Sequence, residues 1–253
     1  MSVAGIVLST NTSKNLLTRI ADLWYVSGQL TASSSLSAFG SVLVNSGPLA
    51  LYRAEVIRDA MPAYLSETFF GRPVHFSDDS MLTTYAILRG RTVQQPSAFA
   101  FCLMPETMKH HVNQYIRWMR GSFIRSWWRF KYLPLNSYGF WIHALGWLQM
   151  VLSLVLFVIL FVVQPFIDPR VVPYFILIPL LIAYIQALRY LSISRSDLSV
   201  GGQLLIFAIT PIAALWAFFG LRVVRWYAMA TCLKTGSWGT RSDVEVRLES
   251  LHG

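Results

Sequence analysis

Four short clusters carry side chains suited to chemistry: Ser46-Gly47-Pro48, Asp78-Asp79, Gln114-Tyr-Ile-Arg117-Trp118 and Trp238-Gly239-Thr240-Arg241. Adjacent carboxylates oppose each other's ionisation and so raise basicity, which suits a base that takes a proton from a hydroxyl; a helix N-terminus acts the other way. A helical pattern begins directly after Asp79, so the pair alone reads sooner as the negatively charged first turn of a helix than as a base. Projected at about 100° per residue, Ile116, Met119, Phe123, Trp127 and Phe130 form one apolar stripe. Gln114, Arg117 and Trp118 fall opposite it, together with Arg125 and Arg129. A Trp outside the apolar stripe, between a Gln and an Arg, offers a planar surface to a ligand. The same pattern equally describes an amphipathic helix with one Trp at a membrane interface. Ser46-Gly47-Pro48 alone is a turn, and Trp238 to Arg241 alone is an interfacial anchor followed by a tail.

Metal and disulfide chemistry find no support in spacing. Cys102 and Cys232 are far apart, His110 and His111 are adjacent and so diverge by about 100° on a helix, and no carboxylate stands at ligand spacing from them.

Composition points to a soluble part joined to a membrane part. Hydrophobic residues make up 55% of the 253 and charged residues only 13%, well under the usual quarter or so. The net charge is +9, and no acidic residue lies between Glu106 and Asp168, an interval holding Lys109, Arg117, Arg120, Arg125, Arg129 and Lys131. A basic run feeding into a hydrophobic span is expected to face anionic lipid headgroups on the cytoplasmic side. Nucleic-acid binding fails to explain the uncharged spans that follow, so no nucleic-acid partner is expected.

The elements that must position these clusters follow from pattern. Ser2–Ser9 reads as a buried strand, without the basic leader of a signal peptide. Ser13 is expected to cap a helix running to about Ala38. Ser41–Asn45 reads as a strand, Leu49–Tyr52 as extended, and Arg53–Ala60 as a helix stopped by Pro62. Ser80–Gly90 reads as a helix, and Thr92–Gln95 and Phe99–Leu103 as two short strands. Interleaved strands and helices predict an α/β sheet. Gly139–Val163, 25 residues without a formal charge, spans about 37 Å as a helix, enough to cross a bilayer. Val171–Tyr190 is a second span. Gln203–Leu221 is a third apolar run, interrupted by Pro211.

Taken in order, Ser46-Gly47-Pro48-Leu49 with Tyr52-Arg53, Asp78-Asp79 with Leu82-Thr83, Gln114-x-x-Arg117-Trp118, apolar helices and Trp238-Gly239-Thr240-Arg241 resemble the membrane-embedded family 2 glycosyltransferases. The branch is that of hyaluronan synthases and rhizobial chitin-oligosaccharide synthases. The resemblance implies the C-terminal half of a GT-A type domain over 1–104, on the acceptor side. It further implies amphipathic interface helices over 105–138, membrane helices over 139–232 and a gating loop and tail over 233–253. It assigns Asp79, with Asp78 beside it, as the base that deprotonates an acceptor hydroxyl. Gln114, Arg117, Trp118 and the Ser46-Gly47-Pro48 turn would bind the donor diphosphate and acceptor sugar, and Trp238 to Arg241 would close over the nucleotide. The partners implied are a UDP-sugar, a growing polysaccharide and the lipid bilayer, in a multi-pass cell-membrane protein whose catalytic part is cytoplasmic.

Two departures from the family stand out. Ser77 occupies the place where a Gly usually precedes the acids. No Asp-x-Asp motif occurs, so the Mg2+ or Mn2+ site expected for the full-length family would belong to a donor-side half preceding the equivalent of Ser2. This implies a truncated gene, a misassigned start or a subunit needing a partner, and a chain inactive alone. The alternative is a non-catalytic transferase-like subunit or polymer channel.

With a cytoplasmic basic segment and two crossings, a third full crossing would place Arg222, Arg225, Lys234 and Arg241 outside, against the positive-inside bias. Pro211 permits a re-entrant or bent segment instead. A cysteine replacing Ser237 in sealed vesicles should therefore be labelled from the cytoplasmic face, and labelling from the outer face alone would overturn that topology.

Overall fold

The opening run Ser-Val-Ala-Gly-Ile-Val-Leu-Ser is nearly continuous in apolar and small residues, the signature of a strand covered on both faces. In the computed structural model, which describes residues 1–74 and 76–234, it forms β1 (Ser2–Ser9), buried almost throughout. Next comes α1 (Leu16–Gly28), which passes through a π-helical turn at Gln29–Ser33 into α2 (Ser34–Ala38). The cap is Asn15 rather than Ser13: its side chain accepts from Thr18 N–H at 3.0 Å, and Thr18 Oγ1 accepts from Asn15 N–H at 3.3 Å. Both orphan donors at the helix start are thereby satisfied reciprocally.

Ser41–Asn45 does not form the expected strand. Only Ser41 bridges to Thr92. Asn45 is fixed instead by side-chain contacts, donating from Nδ2 to Ser2 Oγ at 2.8 Å and from its N–H to Thr83 Oγ1 at 3.0 Å. After β2 (Ala50–Tyr52), α3 (Ala54–Leu65) runs through Pro62 instead of stopping before it. Pro62 is exposed, where water can satisfy the carbonyl deprived of its donor. A two-residue hairpin, β3 (Thr68–Phe69) with β4 (Arg72–Pro73), leads to α4 (Asp78–Arg89) and β5 (Thr92–Cys102).

The main sheet has the order β2-β1-β5, with β1 antiparallel to β2 and parallel to β5. The two short strands expected after Gly90 are one strand with an irregularity. The register passes from Ala4 opposite Gln94 to Ile6 opposite Phe99, and the extra length includes Pro96, which has no N–H for a ladder. Gly5 lies against this bulge, where a Cβ would come within 2.2 Å of Leu49 Cδ2 and 2.5 Å of the Ala98 carbonyl oxygen.

Because β2 pairs only with Ser2–Ala4, the rest of β1 needs other partners for its backbone. Two buried α1-side residues supply them. Gln29 Oε1 accepts from Val7 N–H at 2.9 Å and Asp22 Oδ1 accepts from Ser9 N–H at 2.8 Å.

Then follow α5 (Met108–Tyr132) and three helical stretches long and apolar enough to cross a membrane: Tyr138–Ile167, Pro169–Ser192 and Thr210–Ala230. The first comprises α6 (Tyr138–Val158), a π turn and α7 (Gln164–Ile167). The second is built around α8 (Val172–Ala187). The apolar run expected over 203–221 is divided. Gln203 to Ala208 belongs to α9 (Val200–Ala208), and the chain restarts at α10 (Thr210–Leu215), continuing through a π turn into α11 (Arg222–Ala230). Pro211 stands in the first turn of α10, where its missing N–H costs nothing, so it starts a helix instead of bending one.

A polar cluster whose Asp22, Tyr190 and Arg195 are buried ties the soluble part to the second span. Asp22 Oδ2 accepts from Tyr190 Oη at 2.7 Å and from Arg195 Nη1 at 2.5 Å, and Arg195 reaches Ser9 O at 3.3 Å and Asp197 Oδ2 at 2.7 Å. Removing one member of a buried pair strands the other's charge. Asp22→Ala should therefore lower unfolding stability in detergent by about 3–5 kcal/mol, read from chemical denaturation; a loss below about 1 kcal/mol, the level of an exposed pair, would show that the cluster is not a buried tie.

Candidate active site

The acid pair opens α4, directly after Ser77, which takes a left-handed backbone at φ +61°. That conformation favours glycine, the residue usual at this place in the resembling family, so Ser77 follows the backbone path that glycine would. Asp78 is exposed and Asp79 half-buried. Asp79 accepts from Ser80 N–H at 2.6 Å and from Gly47 N–H at 3.4 Å, so the Ser46-Gly47-Pro48 turn lies against the carboxylate. Burial raises the Asp79 pKa, the neighbouring Asp78 charge adds to it, and the two backbone donors and Arg129 oppose it. A carboxylate above its ordinary range is the better proton acceptor near neutral pH.

Behind the pair, Thr83 Oγ1 donates to Asp79 O at 2.7 Å, and Tyr52 Oη stands 3.2 Å from Asp79 O and 3.0 Å from Thr83 Oγ1. Burial above all pushes the Tyr52 hydroxyl up to about 12. Tyr52 and Thr83 therefore hold the backbone of the first turn while leaving the Asp79 carboxylate to the Gly47 side.

One helix supplies the opposing wall. On α5 the positions 117, 121, 125 and 129 recur every four residues, one face of a helix. Arg129 Nη2 donates to Leu43 O at 2.9 Å and to Ser80 Oγ at 2.6 Å. Arg125 donates to the carbonyls of Phe76 and Ser77 at 2.9 and 3.2 Å and pairs with Glu67. At Gly121 an added Cβ would fall 2.6 Å from Ser77 Cβ. A turn further on, Arg117 is half-buried; desolvation lowers its pKa, while Tyr25, Asp78 and Asp79 favour its charge. Trp118 meets Tyr25 edge-on at 5.3 Å between ring centroids. Gln114 Oε1 and Tyr25 Oη are buried without hydrogen-bond partners among the described residues, and buried polar atoms of that kind call for a partner.

The structure thus brings Asp79 and Gly47 into contact and sets Arg117 in the field of both acids. Trp238, Gly239, Thr240 and Arg241 lie outside the described residues. The expectation that the basic run faces lipid headgroups is corrected for two of its members, since Arg125 and Arg129 are buried against protein carbonyls. The apolar stripe meets the first span at Phe123, edge-on to Trp147 at 5.7 Å, and at Phe130, 6.0 Å from Phe140. Sequence reasoning missed Tyr25, Glu67 and Gly121. Gly121 alone had a signal, its four-residue spacing between Arg117 and Arg125.

A divalent cation does not fit these residues. Among the described residues no three His, Cys, Asp or Glu side chains converge, and Asp79 already accepts from two backbone donors.

No family model matches the chain. It is 31% identical over 246 residues to a hyaluronan synthase of Streptococcus pyogenes, a match covering 97% of this chain and 56% of the relative. It is 34% identical over 122 residues to an N-acetylglucosaminyltransferase of Azorhizobium caulinodans, covering 48% of this chain and 31% of that protein. A Rhizobium meliloti N-acetylglucosaminyltransferase is 30% identical over 123 residues, 48% of this chain and 29% of the relative. The chain spans about half the length of the synthase and less of the other two. Across nearly all of its own length, then, this chain is a homologue of hyaluronan synthase, related also to the N-acetylglucosaminyltransferases and matching only part of each.

Proposed function

We propose that the chain forms the acceptor side of an inverting glycosyltransferase that works at a membrane and extends a hyaluronan- or chitin-like polysaccharide. One observation carries the reading: a carboxylate made more basic by burial shares a site with a cation and aromatic rings on the helix that leads into the apolar spans. In this mechanism Asp79 takes the proton of an acceptor hydroxyl as the oxygen attacks the anomeric carbon of a nucleotide-activated sugar. The glycosidic bond forms as the bond to the nucleoside diphosphate breaks, with inversion. Arg117 offsets the charge that develops on the leaving phosphates, and Trp118 presents a flat apolar face to a sugar ring, oriented by its edge contact with Tyr25. Gln114 Oε1 and Tyr25 Oη supply acceptor and donor capacity for sugar hydroxyls.

The relatives' greater length supports a second part of the transferase outside this chain, which would provide the donor half and its Mg2+ or Mn2+. The spans and the basic segment support a multi-pass protein with its catalytic part on the cytoplasmic side. Two donors used in alternation would mark hyaluronan-like synthesis, and one donor chitin-like synthesis. Incorporation of label from UDP-N-acetylglucosamine, with and without UDP-glucuronic acid, distinguishes them.

Asp79→Asn in the assembled transferase should abolish transfer and leave UDP binding intact; unchanged turnover would remove Asp79 as the base. Because the base must be ionised and its pKa is raised, the acid limb of kcat should lie above the range of an ordinary aspartate. The Asp78 charge contributes to that rise, so Asp78→Asn should move the limb to lower pH. A limb that stayed in place or moved upward would contradict the assignment.

A further inference from the structure

We propose that Arg125, held by Glu67, is a positioning residue that sets the Asp79 carboxylate for proton transfer; this rests on the reading of Asp79 as the base. The guanidinium is wholly buried and is the largest such side chain among the described residues. Its three nitrogens have three different partners. Nη1 pairs with the Glu67 carboxylate, Nη2 donates to Phe76 O and Nε donates to Ser77 O, while the plane lies 4.6 Å from the centroid of Trp128. Phe76 and Ser77 are the two residues immediately before the acids.

Ser77 is also where the chain adopts φ +61°, a conformation that costs a non-glycine residue free energy and persists only where its surroundings hold it. The carbonyl bond from Arg125 and the flush contact with Gly121 are those surroundings. If the Ser77 turn relaxed, α4 would start along a different direction and Asp79 would leave the amides of Gly47 and Ser80. Arg117, Gly121, Arg125 and Arg129 occupy one face of a single helix, so the base and the sugar platform are referred to the same rigid element.

Glu67 explains why a cation can stay there at all. Alone, a guanidinium this deep would be strongly disfavoured; the carboxylate neutralises it, and burial in turn raises the Glu67 pKa against the pull of Arg125. Nothing in the proton transfer uses Glu67 or Arg125 directly, since their side chains engage each other and the Phe76 and Ser77 carbonyls and not the acids themselves.

The role is separable from stability. Arg125→Met strands the Glu67 charge and should fold poorly, whereas Glu67→Gln with Arg125→Met removes both charges and should recover folding. Arg125→Lys keeps a charge for Glu67, but one ammonium cannot reproduce the fork to two carbonyls.

The test measures kcat, KM for UDP-N-acetylglucosamine, UDP binding and thermal stability in membranes carrying the assembled transferase, with Asp79→Asn alongside. Expected for both the double variant and Arg125→Lys is near-normal UDP binding and KM with kcat lowered about 100-fold, the scale of a misplacement near 1 Å. The acid limb should also be displaced as Asp79 loses its backbone donors. Wild-type kcat in either folded variant overturns the positioning role. Full activity in Asp79→Asn instead sinks the underlying reading of the base, whatever Arg125 does.

Discussion

A cation enclosed in protein governs much of this architecture. Arg125 is fully buried, paired with Glu67 and bonded to two successive carbonyls. A charge in that position is tolerated only when a counter-charge and polar partners stand beside it. That requirement fixes three elements at once: the end of α3, which presents Glu67 just beyond it, the turn before α4, and the middle of α5. Arg129, one turn on, adds the Leu43 carbonyl and Ser80 to the same face. The tie resists sliding of α5 along its axis, since a shift of one residue would turn the arginines about 100° away from their acceptors.

The opposite end of the soluble part solves a different problem with similar means. Past Ala4, β1 has no strand on its β2 side, and buried backbone groups left there would be costly. Asp22 and Gln29 take the place of a strand for Ser9 and Val7. Asp22 then needs a counter-charge, which comes from Arg195 beyond the second span, with Tyr190 completing the carboxylate's bonds. Satisfying one sheet edge therefore binds the α/β part to the apolar helices. The two parts meet through desolvated polar contacts with specific partners, which define a single relative position better than apolar packing alone.

The mixed α/β character, the apolar spans and the motif order were legible because each rests on local information: hydrophobic period, uncharged length and short residue strings. The acid pair at a helix start was legible for the same reason. What escaped lay in contacts between distant segments. Arg125 and Arg129 read as surface cations because composition near a span favours that, and it is Glu67, Phe76, Ser77, Ser80 and Leu43, all far off in sequence, that make them interior. Ser41–Asn45 looked like a strand by propensity, but the single bridge at Ser41 and the side-chain bonds of Asn45 took over its backbone. By sequence alone, Pro62 and Pro211 both read as interruptions. One sits exposed in a last helical turn and the other in a first turn, so neither interrupts.

The site and the apolar helices also share α1. Tyr25 meets Trp118 on the α5 side, while its neighbour Trp24 and Leu23 of α1 line a cavity with Ile178, Ala213 and Phe218 from the second and third spans. Successive helical residues point about 100° apart, so one turn of α1 presents an aromatic ring to each compartment. Trp24 and Tyr25 are themselves in edge contact at 5.2 Å, and Trp24 meets Tyr115 at 5.8 Å. Edge contacts from Trp118 through Tyr25 to Trp24 thus link the α5 face to the cavity lined by the second and third spans.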